Sequence, residues 1–201
     1  MSLGADIKEV IAEVGDPITI LRTPANITGE YVKMTVNAQV TKPFIREFFM
    51  EGWMSYDTRA VSGDWIQLAD GRVFMIMNRT PKMFEGSVMR YNSVLYKTNA
   101  VVTIQRQLLS AVDYTSQVAW STVKAGAHVL ITEALYGNAL DADEAVGQIN
   151  MSENDLYIPA SVGLQERDRV WVSADEYYMV ETIRKRRFDN VDLATIGEDT
   201  R

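Results

Sequence analysis

Ser62-Gly63-Asp64-Trp65-Ile66-Gln67-Leu68-Ala69-Asp70-Gly71-Arg72-Val73-Phe74-Met75-Ile76 spells a β-hairpin: a short alternating strand, an Asp-Gly turn and a stronger apolar strand. The same pattern returns 104 residues later without a gap. Asp64 falls on Asp168, Ile66 and Leu68 on Val170 and Val172, Val73 and Phe74 on Tyr177 and Tyr178, and Met75 and Ile76 on Met179 and Val180. Further on, Phe84-Glu85-Gly86 falls on Phe188-Asp189-Asn190, and Met89 on Leu193. A hairpin with a return strand is a compact unit, and two copies pack as paired barrels or as halves of one. The identities are few and hairpin patterns converge easily, so duplication and coincidence both stand at this level.

Outward from this core the chain stays β-rich. Ile18 to Arg22 is a β-branched run. Tyr31, Val32, Met34, Val36, Ala38 and Val40 carry a near-strict period of two. Strands are expected at Trp65–Leu68, Val73–Asn78, Val88–Tyr96, Ala100–Gln105, Leu156–Pro159, Arg169–Val172, Tyr177–Ile183 and Val191–Ile196, with Thr80-Pro81 among the turn signals. One amphipathic helix is expected over Ala5–Val14, where Ile7, Val10, Ile11 and Val14 share a face and Gly15 stops it. Asp113–Lys124 has helical spacing at Val112, Val118, Ala119 and Val123, and Ala127–Leu135 reads as strand or buried helix. The expected class is mainly β with short helices (α+β), built of small antiparallel barrel or sandwich units. The organisation is a helix and first β unit over 1–105, a mixed connection over 106–150 and a second β unit over 151–201.

Composition narrows the chemistry. In 201 residues, 47% apolar and 23% charged suffices for a core and excludes global disorder. Cysteine is absent, which removes disulfides, thiolate zinc sites, iron–sulfur clusters and cysteine nucleophiles. Met1 to Glu9 carries acids and no apolar run, and no later segment reaches spanning length, so synthesis in the cytoplasm without a membrane stage is expected. A net charge of −7, from 20 basic and 27 acidic residues, disfavours phosphate neutralisation by the chain as a whole.

Catalytic motifs fare poorly. His128 is the single histidine, set between Ala127 and Val129, and such a residue is more often interior or interfacial than a base. Asp141, Asp143 and Glu144 form an oxygen-rich loop, but Gln148 and Asn150 follow where further ligands are needed, which favours a solvated capping loop. No Gly-rich phosphate loop occurs. No catalytic residue, cofactor or metal is expected, and the chain is expected not to be an enzyme; a small carboxylate-dependent hydrolase is the remote alternative.

Two stretches remain as contact candidates. Lys42 to Met54 is dense in large apolar side chains; core packing is the favoured reading, and Phe44, Phe48, Phe49 and Trp53 are the anchors if it is an interface. Arg184-Lys185-Arg186-Arg187 is the strongest positive run, either a solvated loop or a surface for DNA or an acidic neighbouring subunit.

The Gly63–Ile76 segment, and Arg167–Val172 with Tyr177–Val180 after it, resemble the hairpin of phage head–tail connector proteins of the head-completion or stopper type. Met1–Arg22 and Gln39–Phe49 are similar to structural proteins encoded among phage morphogenesis genes. The resemblance covers about a third of the chain, and proteins of that type are usually shorter, with one barrel. It implies a virion component forming a six-fold or twelve-fold ring in the neck. Portal or adaptor and tail proteins are then its partners, double-stranded DNA passes without specific binding, and no catalytic residue carries over. Tail terminator, tail tube and baseplate are the alternative placements.

Overall fold

A computed structural model describes residues 3–36, 48–108, 119–133, 154–173 and 176–199. The chain opens with α1 (Leu3–Val14), which buries Gly4 and Ile11. Gly15 ends the helix: its N–H donates to the Ile11 carbonyl at 2.9 Å. A Cβ there would run into that carbonyl and lie 3.0 Å from the Val32 carbonyl oxygen, so the close approach requires glycine. Lys33 Nζ donates to the orphan Val14 carbonyl at 3.2 Å.

Six strands follow: β1 (Asp16–Leu21), β2 (Ile27–Val36), β3 (Phe49–Ser55), β4 (Trp65–Leu68), β5 (Val73–Phe84) and β6 (Ser87–Lys97). They close an antiparallel barrel in the order β1-β2-β3-β6-β5-β4. Period-two alternation sends Ile18, Ile20, Val32, Met54, Ile66, Leu68, Phe74, Ile76 and Leu95 inward to one buried cluster. Gly52 belongs to the same packing, since a Cβ would stand 2.8 Å from Leu95 Cδ1. The helix α1 packs across β2, β3 and β6.

The second set is β7 (Ala100–Leu108), β8 (Ala119–Glu133), β9 (Asn154–Pro159), a 3-10 turn at Ala160–Val162, β10 (Arg169–Ser173), β11 (Glu176–Phe188) and β12 (Val191–Glu198). It closes a barrel in the order β10-β11-β12-β9-β8-β7, the first order with every strand advanced by six. Its interior holds Val102, Ile104, Val129, Leu156, Ile158, Val170, Val180 and Ile196, while Leu130 and Leu193, level with Tyr157, are buried on the opposite face of the sheet. The structure is thus mainly β, two six-stranded antiparallel barrels in one chain.

The repeat extends to register. Trp65, Ile66 and Gln67 pair with Met75, Phe74 and Val73; Arg169, Val170 and Trp171 pair with Met179, Tyr178 and Tyr177. Ile20 faces Ile66 as Ile104 faces Val170. The β1–β2 ladder slips between Ile18 and Ile20, and the β7–β8 ladder slips between Val102 and Ile104. A bulge that recurs at one register point is a designed feature of the sheet. The gapless alignment ends in the return strands. Trp53 faces Asn92 and Tyr157 faces Leu193, so Leu193 corresponds to Asn92, three residues past Met89.

Three local expectations change. The chain divides into 1–98 with Phe188–Asn190, and 99–187 with 191–201, where the sequence divides at 105; β7 pairs with β8 and β10 and so completes the second barrel. The helical spacing over Asp113–Lys124 does not produce a helix in its described part. Ala119 to Lys124 is strand, paired with Leu108 back to Ile104, and the β-branched Thr122 and Val123 suit that state. Thr80-Pro81 is not a turn: β5 runs through it to Phe84, with Pro81 opposite Tyr91. The turn comes at Glu85-Gly86, both at positive φ (46° and 79°), the geometry that matches strand twist.

Candidate functional site

In each barrel an arginine and an aspartate meet at the loop before the fourth strand. In the first, Arg22 leaves the end of β1 and grips Asp64 side-on, Nε to Oδ1 at 2.8 Å and Nη2 to Oδ2 at 2.5 Å, while Nη2 also donates to the Arg59 carbonyl at 3.0 Å. In the second, Arg106 on β7 grips Asp168 with Nε to Oδ1 at 2.8 Å and Nη2 to Oδ2 at 2.8 Å, and donates to the Gly163 carbonyl at 2.9 Å. The carboxylates accept one backbone N–H each, from Val61 at 2.7 Å and from Gln165 at 2.8 Å. The loop backbone repeats too. Gly63 N–H donates to the Ile76 carbonyl and Ile76 N–H to the Asp64 carbonyl, as Arg167 and Val180 do with Val180 and Asp168. Gly63 and Arg167 share a positive φ, 87° and 69°.

This clamp ties the loop before the fourth strand to the first strand of its barrel. The carboxylates are buried, with side chains 10% and 2% exposed, and both are spent on a guanidinium and a backbone amide. Hydrogen bonding to Asp64 and to Asp168 raises Arg22 and Arg106 above the usual arginine value.

Around the shared clamp the barrels differ. Glu30 on β2 is buried and accepts from Thr58 Oγ1 at 2.9 Å and from Arg59 Nε at 2.9 Å, and Arg59 reaches on to the Thr28 carbonyl at 3.0 Å. The second barrel has Ala127, Val162 and Gly163 at the matching places, by register with β7 and by the loop alignment. In the second barrel, Arg169 pairs with the fully buried Asp199 carboxylate at 2.6 Å. Its guanidinium lies 4.0 Å from the Trp120 ring and 5.0 Å from Tyr177, which stacks with Trp171 at 6.4 Å. The first barrel has Trp65 and Gln67 where this group has Arg169 and Trp171.

The contact candidates separate. Phe44 lies outside the described residues. Phe48, Phe49 and Trp53 are half-buried with partners of their own: Lys97 over Phe48 at 5.5 Å, Tyr96 edge-on to Phe49 at 4.4 Å, and Arg90 over Trp53 at 3.7 Å. Met54 is fully buried, so the described end of the apolar stretch, Phe49 to Met54, serves the wall of the first barrel. Arg184, Lys185, Arg186 and Arg187 lie exposed on β11 and not on a loop. Met83 and Phe84, half exposed at the end of the β5–β6 hairpin, form an apolar surface that the sequence reading did not place among its contact candidates.

His128 sits on β8 opposite Val101, half-buried, and burial lowers its pKa. Asp141, Asp143 and Glu144 lie outside the described residues. Among the described residues no group of three or more His, Asp or Glu is placed to hold a metal ion, and no helix is long and apolar enough to cross a membrane.

The clamp arginines were also missed, though a signal exists. Thr19-Ile20-Leu21-Arg22 and Thr103-Ile104-Gln105-Arg106 are one motif, spaced from its aspartate by 42 residues in the first unit and 62 in the second. The unequal spacing hides it from a gapless alignment.

No family profile and no curated protein matches the chain. Two structures of K. pneumonia MrkH, one of them in its apo state, align over 99% of this chain and 84% of theirs, at 9% and 8% identity. Their TM-scores of 0.18 and 0.16 are too low to carry a shared fold.

Proposed function

We propose that this chain is a non-catalytic building block of a double-stranded DNA phage virion, forming a ring in the neck through which DNA passes. The observation that carries the reading is the twin barrel itself. The buried carboxylates of its clamps are consumed by loop geometry, and the chemistry left at the surface is contact chemistry: a basic strand, an apolar hairpin end and an aromatic wall. The hairpins that resemble those of head–tail connectors are the β4–β5 and β10–β11 pairs, which hold the clamped loops in both barrels. Closure uses up the barrel edges, so subunits meet through side-chain faces and hairpins more than through strand addition. The net charge of −7 suits a lumen that lets DNA slide.

Mass measurement and electron microscopy of the purified protein, alone and with its portal, test the proposal. Rings of six or twelve copies that cap the portal are expected. A strictly monomeric protein absent from purified virions would sink it, and localisation to tube or baseplate would move it down the tail.

A further inference from the structure

Two exposed surfaces of this chain complement each other. On α1, Leu3, Val10 and Val14 are 45%, 54% and 50% exposed and fall on one stripe at the three- and four-residue spacing. Beside that stripe run Asp6, Glu9 and Glu13, all exposed. Glu9 and Glu13 stand four apart, a like-charge pair that weakens an isolated helix and that a basic partner would relieve. On β11, Arg184 and Arg186 are exposed and, two residues apart on a strand, project from one face. Two residues along a strand span roughly 7 Å, and four along a helix roughly 6 Å, so the two pairs match in spacing as well as sign.

We propose that the Arg184–Arg186 face of β11 docks on the α1 stripe of a second copy of this chain, pairing with Glu9 and Glu13 while the arginine stems cover Val10 and Val14. Long basic side chains bury their alkyl stems on apolar surface and keep their charge at its edge, which suits a stripe flanked by acids. The contact joins two different patches, so it is head-to-tail and propagates into a ring or an open helix. It rests on the ring reading above and names the surface that would build the ring.

The test uses the full chain in four forms, compared by sedimentation velocity at low and high salt. These are the wild type, R184E/R186E, E9K/E13K, and all four changes in one chain. The wild type should associate and weaken with salt; each double reversal should weaken association by roughly tenfold or more; the quadruple variant should restore it. Mixing the two double variants should restore association with the two alternating, because each then meets opposite charge on its partner at both patches while its contact with its own kind stays repulsive. Every changed residue is exposed, so unchanged thermal midpoints confirm that the variants fold. Wild-type assemblies indifferent to both reversals overturn this contact and leave the ring reading standing; a monomeric wild type overturns both. If R184E/R186E leaves assembly intact and instead abolishes binding to a DNA duplex, the basic face serves DNA and the docking proposal falls.

Discussion

Asp64 and Asp168 sit in the same loop of two barrels, gripped by the same two nitrogens of an arginine at the end of each barrel's first strand, yet the ground behind them differs. The first barrel backs its loop with the Glu30–Thr58–Arg59 network. The second fills the matching places with alanine, valine and glycine, and spends its charge on the outer wall at Arg169 and Asp199. The recurring clamp is therefore the feature that the loop geometry needs. The remaining polar groups are local solutions, exchangeable for apolar packing without change of strand order.

The largest effect is expected at the clamp. Asp168→Ala leaves the Arg106 charge and the Gln165 amide without their acceptor and should cost the second unit about 3–5 kcal/mol. Asp64→Ala, at the more exposed copy, should cost the first unit less. Hydrogen exchange resolved by peptide reads each barrel separately, since one melting curve is not a defined quantity for two units. Loss confined to the mutated barrel is expected; equal loss in both would show that the units are one cooperative body.

Next comes the network unique to the first barrel. Glu30→Ala should cost about 1–3 kcal/mol, because Thr58 and Arg59 lose their acceptor. The triple change Glu30→Ala, Thr58→Val, Arg59→Gly installs the second barrel's residues and should recover most of that loss. Failure to recover under denaturant titration would mean that the network is a requirement of the first barrel and not an alternative to apolar packing.

A smaller effect follows from backbone conformation. Arg167 holds a positive φ where its counterpart is Gly63, so Arg167→Gly should stabilise the second unit by about 1 kcal/mol, and Gly63→Ala should destabilise the first by more than that, because its Cβ would also run into Asn190. Hydrogen exchange resolved by peptide in each unit checks the signs, and two losses would contradict the equivalence.

The smallest effect is pH-dependent. Burial pushes the Asp192 carboxyl above the ordinary carboxylate value, with Lys185 partly opposing it. A raised folded pKa means that this group's contribution is full below the ordinary value and is lost as pH rises through the folded value. Asp192→Asn should therefore be more stable than the wild type at neutral pH, with the gap closing in acid. A gap that widens in acid would show that Asp192 is held as an ion pair. In the first unit Asp57 runs the other way, lowered chiefly by the hydrogen bond from Lys8, so its support for α1 is present above the ordinary carboxylate value and fades as pH falls.

Much of this architecture could be read from the chain because inward positions alternate strictly where a barrel wall has one wet face. Trp65–Leu68, Val73–Ile76 and Arg169–Val172 carry that period, and their strands lie where expected. The clamp aspartates stood out as the aligned pair Asp64 and Asp168, but their partners come from strands far away in sequence, and ion-pair geometry has no local pattern. The strand at Ala119–Lys124 was hidden for a related reason. Val118, Ala119 and Val123 fit a helical period, and the pairing with β7 that settles the matter is a tertiary fact. The exposed hairpin end at Met83 and Phe84 was missed because Thr80-Pro81 reads as a turn that would end the strand at Asn78, whereas β5 runs on to Phe84.

The central claim, that this is an assembling virion component, is tested most directly by electron microscopy of purified phage particles labelled at this protein, together with the mass of the isolated protein. The account predicts a ring of six or twelve copies in solution and label at the neck of every particle. A monomer in solution with no label on the particles would contradict it.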